Sequence, residues 1–421
     1  MITFVLGIIA RLIPHLRIGS ISVEADYPNK TLAVIIPVHN GEKSLAEVIK
    51  SVKTQSRRAD RIIVADDAST DTTPSIAVNQ DVTYIRSDKH LGRAGVLNLA
   101  IQNVQEDLVL TLDDDTTLHP DFIRELLPVF YKPKVAVACG FVIPNIAENT
   151  GVSGSLVKAH RLFQYTFGQE FSKRGQLLIN GVIVSAGCCS MFRTDVIKTH
   201  SFRSRNMVED MDLTWELEEK GFQAGFSPNA IAYTIEPHNL EEYTVQGERW
   251  FGGFWNNLHD HGGAIFKSKG LGASIMFSIA EVIWLPIFYG LFTMQFLSGN
   301  FISAALMLGI DLGLIALSTL YKGRKLNKTR ALLMALPATF LMRFYDSYLW
   351  ITTSIKYGLL NRRVDTWNIE DKLHKKYKFR KCHACGKFTV VPYSSWDKDV
   401  ICKNKKCGAM IPVKVAVSEG K

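Results

Sequence analysis

The chain has 421 residues, 47% of them apolar and 21% charged, with 49 Lys and Arg against 40 Asp and Glu for a net charge of +9. So large an apolar share excludes an intrinsically disordered chain, and the length exceeds one typical domain of roughly 100–200 residues. Tyr357–Lys421 alone holds 15 bases and 6 acids, which is the entire excess, so a general nucleic-acid coat is excluded for the rest of the chain.

In chain order, the first element is Ile2–Ile13, an apolar stretch that is short and holds Arg11; residues 1–30 therefore read as an interfacial or partly inserted helix. No small-residue cleavage site follows, which makes it a poor signal peptide. Thr31–Val38 is a continuous apolar, β-branched run, and Arg61–Ala65, Val82–Arg86 and Leu108–Leu112 repeat the theme. Helices over Ser44–Thr54, after Thr70, and over Arg93–Val104 fit between them. The rhythm predicts an α/β domain over residues 31–270 with a buried parallel sheet. In such sheets a ligand sits beyond the carboxyl ends of the strands.

Those ends carry Pro37-Val38-His39-Asn40-Gly41-Glu42, Asp66-Asp67-Ala68-Ser69-Thr70-Asp71 and Asp113-Asp114-Asp115-Thr116. Crowded carboxylates repel, so acidic clusters at two strand ends point to a cation or hydrogen-bond donors between them. Taken singly, the same residues read as a helix cap and a solvated turn. Gly92-Arg93-Ala94-Gly95-Val96-Leu97-Asn98 opens the third helix, placing a cation and backbone N–H groups where a phosphate can bind. Gly187-Cys188-Cys189-Ser190 holds two cysteines with no His or second Cys pair beside them, and both read as structural. Val208-Glu209-Asp210 heads a helix carrying Leu213 and Leu217, where acids also simply complement the dipole. Gln246-Gly247-Glu248-Arg249-Trp250 closes the soluble block.

Between Leu271 and Tyr321 the only charged residues are Glu281 and Asp311, and Ser274–Leu297 and Phe301–Leu320 are each long enough to cross a hydrocarbon core of about 30 Å. Residues 271–356 thus read as a transmembrane region, with Glu281 and Asp311 either facing a protein-lined interface or serving a pathway, and in neither case facing lipid. Lys322, Arg324, Lys325, Lys328 and Arg330 place the following loop in the cytoplasm. Ala331–Ile355 is interrupted by Pro337, Arg343 and Asp346 and reads as re-entrant or returning.

After a basic linker, residues 357–380, the segment 381–415 holds Cys382-x-x-Cys385-Gly386 and, after sixteen residues, Cys402-x-x-x-x-Cys407-Gly408. Four thiolates so spaced suit a structural Zn²⁺, with Phe388–Pro392 and Val400–Ile401 as the short strands of a zinc ribbon. Two disulfides, or a set that includes His383, are alternatives. Reduced thiols favour the cytoplasm, and the surrounding Lys residues suit anionic lipid better than nucleic acid.

The ordered set of motifs from Thr31 to Trp367 resembles the inverting, membrane-embedded family 2 glycosyltransferases with the GT-A nucleotide-diphospho-sugar transferase fold. The final Gln-x-x-Arg-Trp before membrane helices is similar to the synthases of cellulose, chitin, hyaluronan or poly-N-acetylglucosamine, and a related pattern occurs in lipid-directed members. The resemblance implies that His39 and Asp67 hold the uracil and ribose, that Arg93 and Arg249 face the donor diphosphate, that Pro37 and Asp114 also belong to the nucleotide-sugar site, and that Asp113 and Asp115 hold Mg²⁺ or Mn²⁺. Asp210 matches the catalytic base, with Glu209, Gln246 and Trp250 on the acceptor side. Ala68 stands where the family commonly has Gly, and Val208 where it often has Thr.

Three functions are weighed on this footing. One is a processive enzyme extending a polysaccharide from UDP-sugars at the cytoplasmic membrane face, with or without export, and with a homo-oligomer implied if it builds a channel. The second is a non-processive transferase acting on a lipid or lipid-linked acceptor. A third, a membrane regulator with a degenerate transferase domain, is opposed by the intact acidic motifs.

Overall fold

A computed structural model describes residues 30–145, 152–237, 239–326 and 329–364, with strands at 377–381, 388–392, 400–401 and 410–411. Two compact units are formed, Met1–Arg362 and Arg363–Lys421. The N-terminal helix expected over residues 1–30 and the four cysteines of the tail, Cys382, Cys385, Cys402 and Cys407, lie outside the described residues.

The first unit is built on an eight-stranded sheet, β1 Leu32–Val38, β2 Arg61–Asp66, β3 Thr83–Arg86, β4 Leu108–Leu112, β5 Thr116–Leu118, β6 Val135–Asn145, β7 Cys189–Arg193 and β8 Gln223–Ile235, in the order β3-β2-β1-β4-β7-β6-β8-β5. Helices α1 Leu45–Lys53, α2 Thr73–Val78 and α3 Gly92–Ile101 supply the crossovers between the parallel strands β1 to β4. Period-two alternation makes β1 the centre of the domain. Leu32, Val34, Ile36 and Val38 enter one apolar cluster with β4's Leu108, Leu110 and Leu112. Ala33 and Ile35 enter the opposite cluster with α3's Val96, Leu97 and Ala100. With both faces covered, the strand needs no polar residue, which is why it reads as an unbroken apolar run.

The wholly parallel sheet expected from the sequence is corrected to a mixed one. β7 lies antiparallel between β4 and β6, and β5 is antiparallel to β8. Cys139 and Gly140 interrupt β6 where its register shifts, and Ser227, Pro228 and Asn229 interrupt β8, so neither presents the β-branched run that marks β1 to β4. Sheet order reverses at β1 and β4, which opens a crevice beyond their carboxyl ends.

Three long helices bring the remaining motifs to this edge: α4 Val152–Phe167, α5 Glu209–Glu219 and α6 Leu240–Asp260. Beyond them run α7 Lys269–Leu297, α8 Phe301–Leu326 and α9 Leu336–Thr353. Among the described residues, α7 is the helix long and apolar enough to cross a membrane, while the apolar stretch of α8, Phe301–Gly313, is shorter. Met276, Ile283, Trp284 and Ile287 stand exposed along α7. α8 runs on to Leu326 and so takes in part of the basic stretch that the sequence assigned to a loop. The third apolar run breaks at Ala335, with Pro337 in the first turn of α9. Asp311 faces protein as expected, 2.5 Å from the Arg343 guanidinium. One turn further along α9, Asp346 accepts from the Tyr243 hydroxyl at 2.5 Å and lies 2.8 Å from His160 Nε2, which ties this helix to α6 and α4.

In the second unit, Tyr377–Lys381 pairs antiparallel with Phe388–Pro392, and Val400–Ile401 with Met410–Ile411. The two strands predicted for the ribbon thus form, each in a separate two-stranded sheet.

Candidate active site

At the end of β2 two adjacent acids take different roles. Asp66 is buried and accepts from Ser69 N at 2.8 Å, the Tyr84 hydroxyl at 2.5 Å and Arg86 Nη1 at 2.9 Å. It braces the loop against β3. Asp67 turns to the head of α3 and accepts from Leu91 N at 2.6 Å and Gly92 N at 2.8 Å, with His90 Nδ1 at 2.8 Å. Of the backbone N–H groups that the sequence reading left for a phosphate, that of Gly92 is engaged by Asp67. His39 Nδ1 lies 2.7 Å from the Asp67 carbonyl oxygen, and its ring sits 4.4 Å from that of His90. Ala68, which follows Asp67 in the chain, has φ +58°, a left-handed conformation that costs an L-residue about 1–2 kcal/mol. Glycine adopts it freely, which gives the physical reason for a preference for glycine there.

At the end of β1, Gly41 is required by close approach: a Cβ there would stand 2.5 Å from Val38 Cγ2 and 2.6 Å from Asp114 Oδ2. That contact brings the Asp113–Asp115 loop against the β1 loop.

Arg93 is the hub of the site. Its Nε donates to Asp113 Oδ1 at 2.9 Å, its Nη2 donates to the Gly187 carbonyl at 2.7 Å, and its Nη1 pairs with Glu209. Gly187 N in turn donates to Asp210 Oδ2 at 2.9 Å, and Asp113 N donates to the Cys188 carbonyl at 3.1 Å. One guanidinium thus joins the acidic loop after β4, the Gly187 turn before β7 and the head of α5. Gly187 fits because a Cβ there would meet Asp210 Oδ2 at 3.1 Å and Arg93 Nη2 at 3.4 Å. Burial works against the charge of Arg93, but Asp113 and Glu209 outweigh it and hold the side chain firmly protonated.

The acids beside it are poised differently. Burial, then repulsion from Glu209, pushes Asp210 up to about 6, opposed by Arg93 and by the Gly187 and Met211 N–H groups. Asp114 is pushed up to about 7 by burial and by Asp115 and Asp113, and Asp115 to about 6 by burial and Asp113, with Glu236 adding to it. Asp114 and Asp115 stay raised despite Arg93 nearby, and a cation would offset their mutual repulsion. Their hard oxygens suit Mg²⁺ or Mn²⁺. No cluster of three His, Cys, Asp or Glu side chains positioned to hold a metal occurs among the described residues. Such an ion fits with one or two carboxylates from the chain and the rest of its shell from water and phosphate.

Of the residues the sequence assigns to the acceptor, Glu209 belongs to this hub, while Gln246 and Trp250 meet a second arginine. Gln246 and Trp250, one turn apart on α6, converge on Arg161 of α4: the Gln246 side-chain oxygen accepts from Arg161 Nη2, and the guanidinium lies 4.6 Å from the Trp250 ring centroid. Arg249 lies in the same region, and its charge is felt by Glu236. Arg161, Tyr165 and Glu236 were not marked by any motif. A single Arg or Tyr on a helix, or one Glu after a strand, has no pattern that separates it from a solvated face.

The sheet order and the acidic loops at its carboxyl edge define a GT-A-like transferase fold. Residues 33–201 match the glycosyl transferase family 2 profile, and the chain carries a family 2 glycosyltransferase domain. It is similar to an N-acetylglucosaminyltransferase from Sinorhizobium fredii, 27% identical over 234 residues, which cover 52% of this chain and 55% of that protein. It is also similar to the poly-beta-1,6-N-acetyl-D-glucosamine synthase of Staphylococcus epidermidis, 24% identical over 265 residues, covering 61% of this chain and 63% of that protein. The chain thus spans less than two thirds of the length of these relatives. In fold it is similar to a mannosyltransferase from Pyrobaculum calidifontis solved with GDP-Man and Mn²⁺, at TM-score 0.50 and 16% identity, covering 82% of this chain and 98% of that one.

Proposed function

We propose that the chain is an inverting, metal-dependent glycosyltransferase that moves a sugar of the N-acetylglucosamine class from a UDP-sugar to a hydroxyl of a growing glycan at the cytoplasmic face of a membrane. The observation that carries this reading is the Arg93 bridge, which sets a lone base, Asp210, opposite an acidic loop, Asp113–Asp115, across one crevice. Asp210 takes the proton of the acceptor hydroxyl while that oxygen attacks the anomeric carbon. The bond to the diphosphate breaks with its electron pair, and one displacement inverts the centre. Arg93 and Arg249 offset the charge that gathers on the departing diphosphate. Asp113 and Asp115 would hold Mg²⁺ or Mn²⁺, directly or through water, and the ion when bound neutralises the same leaving group. Pro37, His39 and Asp67 line the nucleoside side, Asp114 belongs to the same nucleotide-sugar site, and Gln246, Trp250 and Glu209 line the acceptor side.

The exposed apolar side chains of α7 support a membrane location. The spacing of the tail thiols supports a structural Zn²⁺ held by Cys382, Cys385, Cys402 and Cys407.

The test is to supply the full chain in nanodiscs with Mn²⁺ and, in turn, labelled UDP-glucose, UDP-N-acetylglucosamine and UDP-glucuronate, then size the products. Transfer from UDP-N-acetylglucosamine is expected. Long products would make the enzyme processive, and single additions to lipid would make it a lipid-directed transferase. No transfer from any of the three would refute the proposal.

A further inference from the structure

A second polar cluster lies behind the hub, between α4, the end of β8 and α6. Its centre is Arg161, 1% exposed. A buried guanidinium is tolerated only where partners replace its water, so those partners show what it is held against. Glu236, 4% exposed, lies 3.5 Å from Arg161 Nε, an ion pair without hydrogen-bond geometry. Arg161 Nη1 donates to the Gln164 side-chain oxygen at 2.5 Å, and Nη2 to that of Gln246. The guanidinium plane stands 4.3 Å from the Tyr243 ring centroid and 4.6 Å from that of Trp250. Glu236 Oε1 accepts from the Tyr165 hydroxyl at 2.5 Å, and the Tyr165 ring is 6.3 Å from Trp250.

Gln246 and Trp250 are four residues apart on one helix and share a face. A single planar fork therefore sets both, bonding one and stacking on the other, which an ammonium cannot do. Glu236 fixes the fork in turn, and its Oε2 has no hydrogen-bond partner while remaining buried.

We propose that Arg161, clamped by Glu236, is the positioning residue of the acceptor side, holding Gln246 and Trp250 in place for the acceptor sugar. The inference rests on the transferase reading above and deepens it. Its consequences fall on acceptor use: the donor-side contacts of Asp67, Arg93 and Asp113 involve neither Arg161 nor Glu236, and Arg249, the donor-side residue whose charge reaches Glu236, is unchanged in every variant.

The experiment compares wild type, Arg161→Lys, Trp250→Phe and the double variant, full length in nanodiscs, with labelled UDP-N-acetylglucosamine, Mn²⁺ and an N-acetylglucosamine oligosaccharide as acceptor. Three quantities are read: donor Kd, acceptor-free hydrolysis of the donor, and acceptor KM. Arg161→Lys keeps the charge opposite Glu236. It is expected to raise acceptor KM on the order of tenfold while the other two quantities stay within about twofold. The double variant is expected to be no more than about twofold worse than the worse single, because both changes disable one unit. Multiplying effects, or a donor Kd that rises as much as acceptor KM, would overturn the proposal. Should Arg161→Lys fail to fold, Glu236→Gln leaves the guanidinium in place and loosens its clamp. The same acceptor-only rise is expected there, and an unchanged acceptor KM would overturn the proposal. A wild-type protein that binds no UDP-sugar in the same titration would refute the transferase reading itself, an outcome separate from an acceptor-only failure.

Discussion

Replacing Glu209 by Gln removes one negative charge beside the proposed base and preserves the side-chain shape. Asp210 stands at about 6 because burial and then Glu209 raise it, while Arg93 and two backbone N–H groups lower it. Deleting the Glu209 charge removes a repulsion, and it also leaves the guanidinium less neutralised, since Arg93 shares its charge between Asp113 and Glu209. Both effects lower the proton affinity of Asp210; burial is unchanged and still opposes. A neighbouring like charge is worth on the order of one pKa unit, or about 1.4 kcal/mol. A base must be deprotonated to act, so the acid limb of kcat/KM for transfer is expected near pH 6 in the wild type. In Glu209→Gln it should move roughly one unit lower. The bond to Arg93 weakens from charge-assisted to ordinary, at a cost of about 1 kcal/mol in stability. The assay is transfer from UDP-N-acetylglucosamine followed from pH 4.5 to 8 for both proteins. A limb that stays in place or moves to higher pH would refute the assignment of Asp210 as the titrating base.

Further outcomes follow from the same geometry. Asp114, Asp115 and Asp210 all bind protons more tightly in the folded chain than at their ordinary values. The folded state therefore holds the extra protons between about pH 4 and 7, and their contribution to stability is lost as pH rises through that window. A divalent cation competes with those protons, so the thermal shift produced by Mn²⁺ should be larger at pH 7.5 than at pH 5.5; equal shifts would contradict this. Ala68→Gly relieves a left-handed residue and should leave stability equal or raise it by up to about 1 kcal/mol, whereas Ala68→Val should lower it by more than that in a chemical melt. Ile36→Ala, at a fully buried position of β1, should cost about 2–5 kcal/mol by the same measurement. Denaturing the chain in the presence of a zinc indicator should release one Zn²⁺ per chain, and a release of none would remove the ribbon proposal.

Much of the catalytic half was legible in the sequence because two buried faces force a recognisable composition. β1 and β4 are covered on both sides and carry unbroken apolar runs. The acids at their ends stood out against those runs. The antiparallel half was not legible: β5 has three residues, and β6 and β8 are interrupted by Gly140 and Pro228. The engagement of Asp67 by the head of α3 was hidden because a carboxylate's partner is set by tertiary approach, not by spacing. Arg161 and Glu236 were invisible for the same reason, being 75 residues apart and paired only when α4 packs on the end of β8. Among the later apolar runs, α7 was legible in its length, whereas the apolar stretch of α8 is shorter than the sequence reading had it. The helix ends were not legible, since α8 continues into basic residues and the third run divides at Ala335.

The measurement that bears most directly on the account is made on Asp210→Asn, full length in nanodiscs, with Mn²⁺ and labelled UDP-N-acetylglucosamine. Transfer should fall below detection while the UDP-sugar binds with wild-type Kd, because the base is lost and Arg93, Asp113 and Asp67 remain. Turnover near that of the wild type would contradict it.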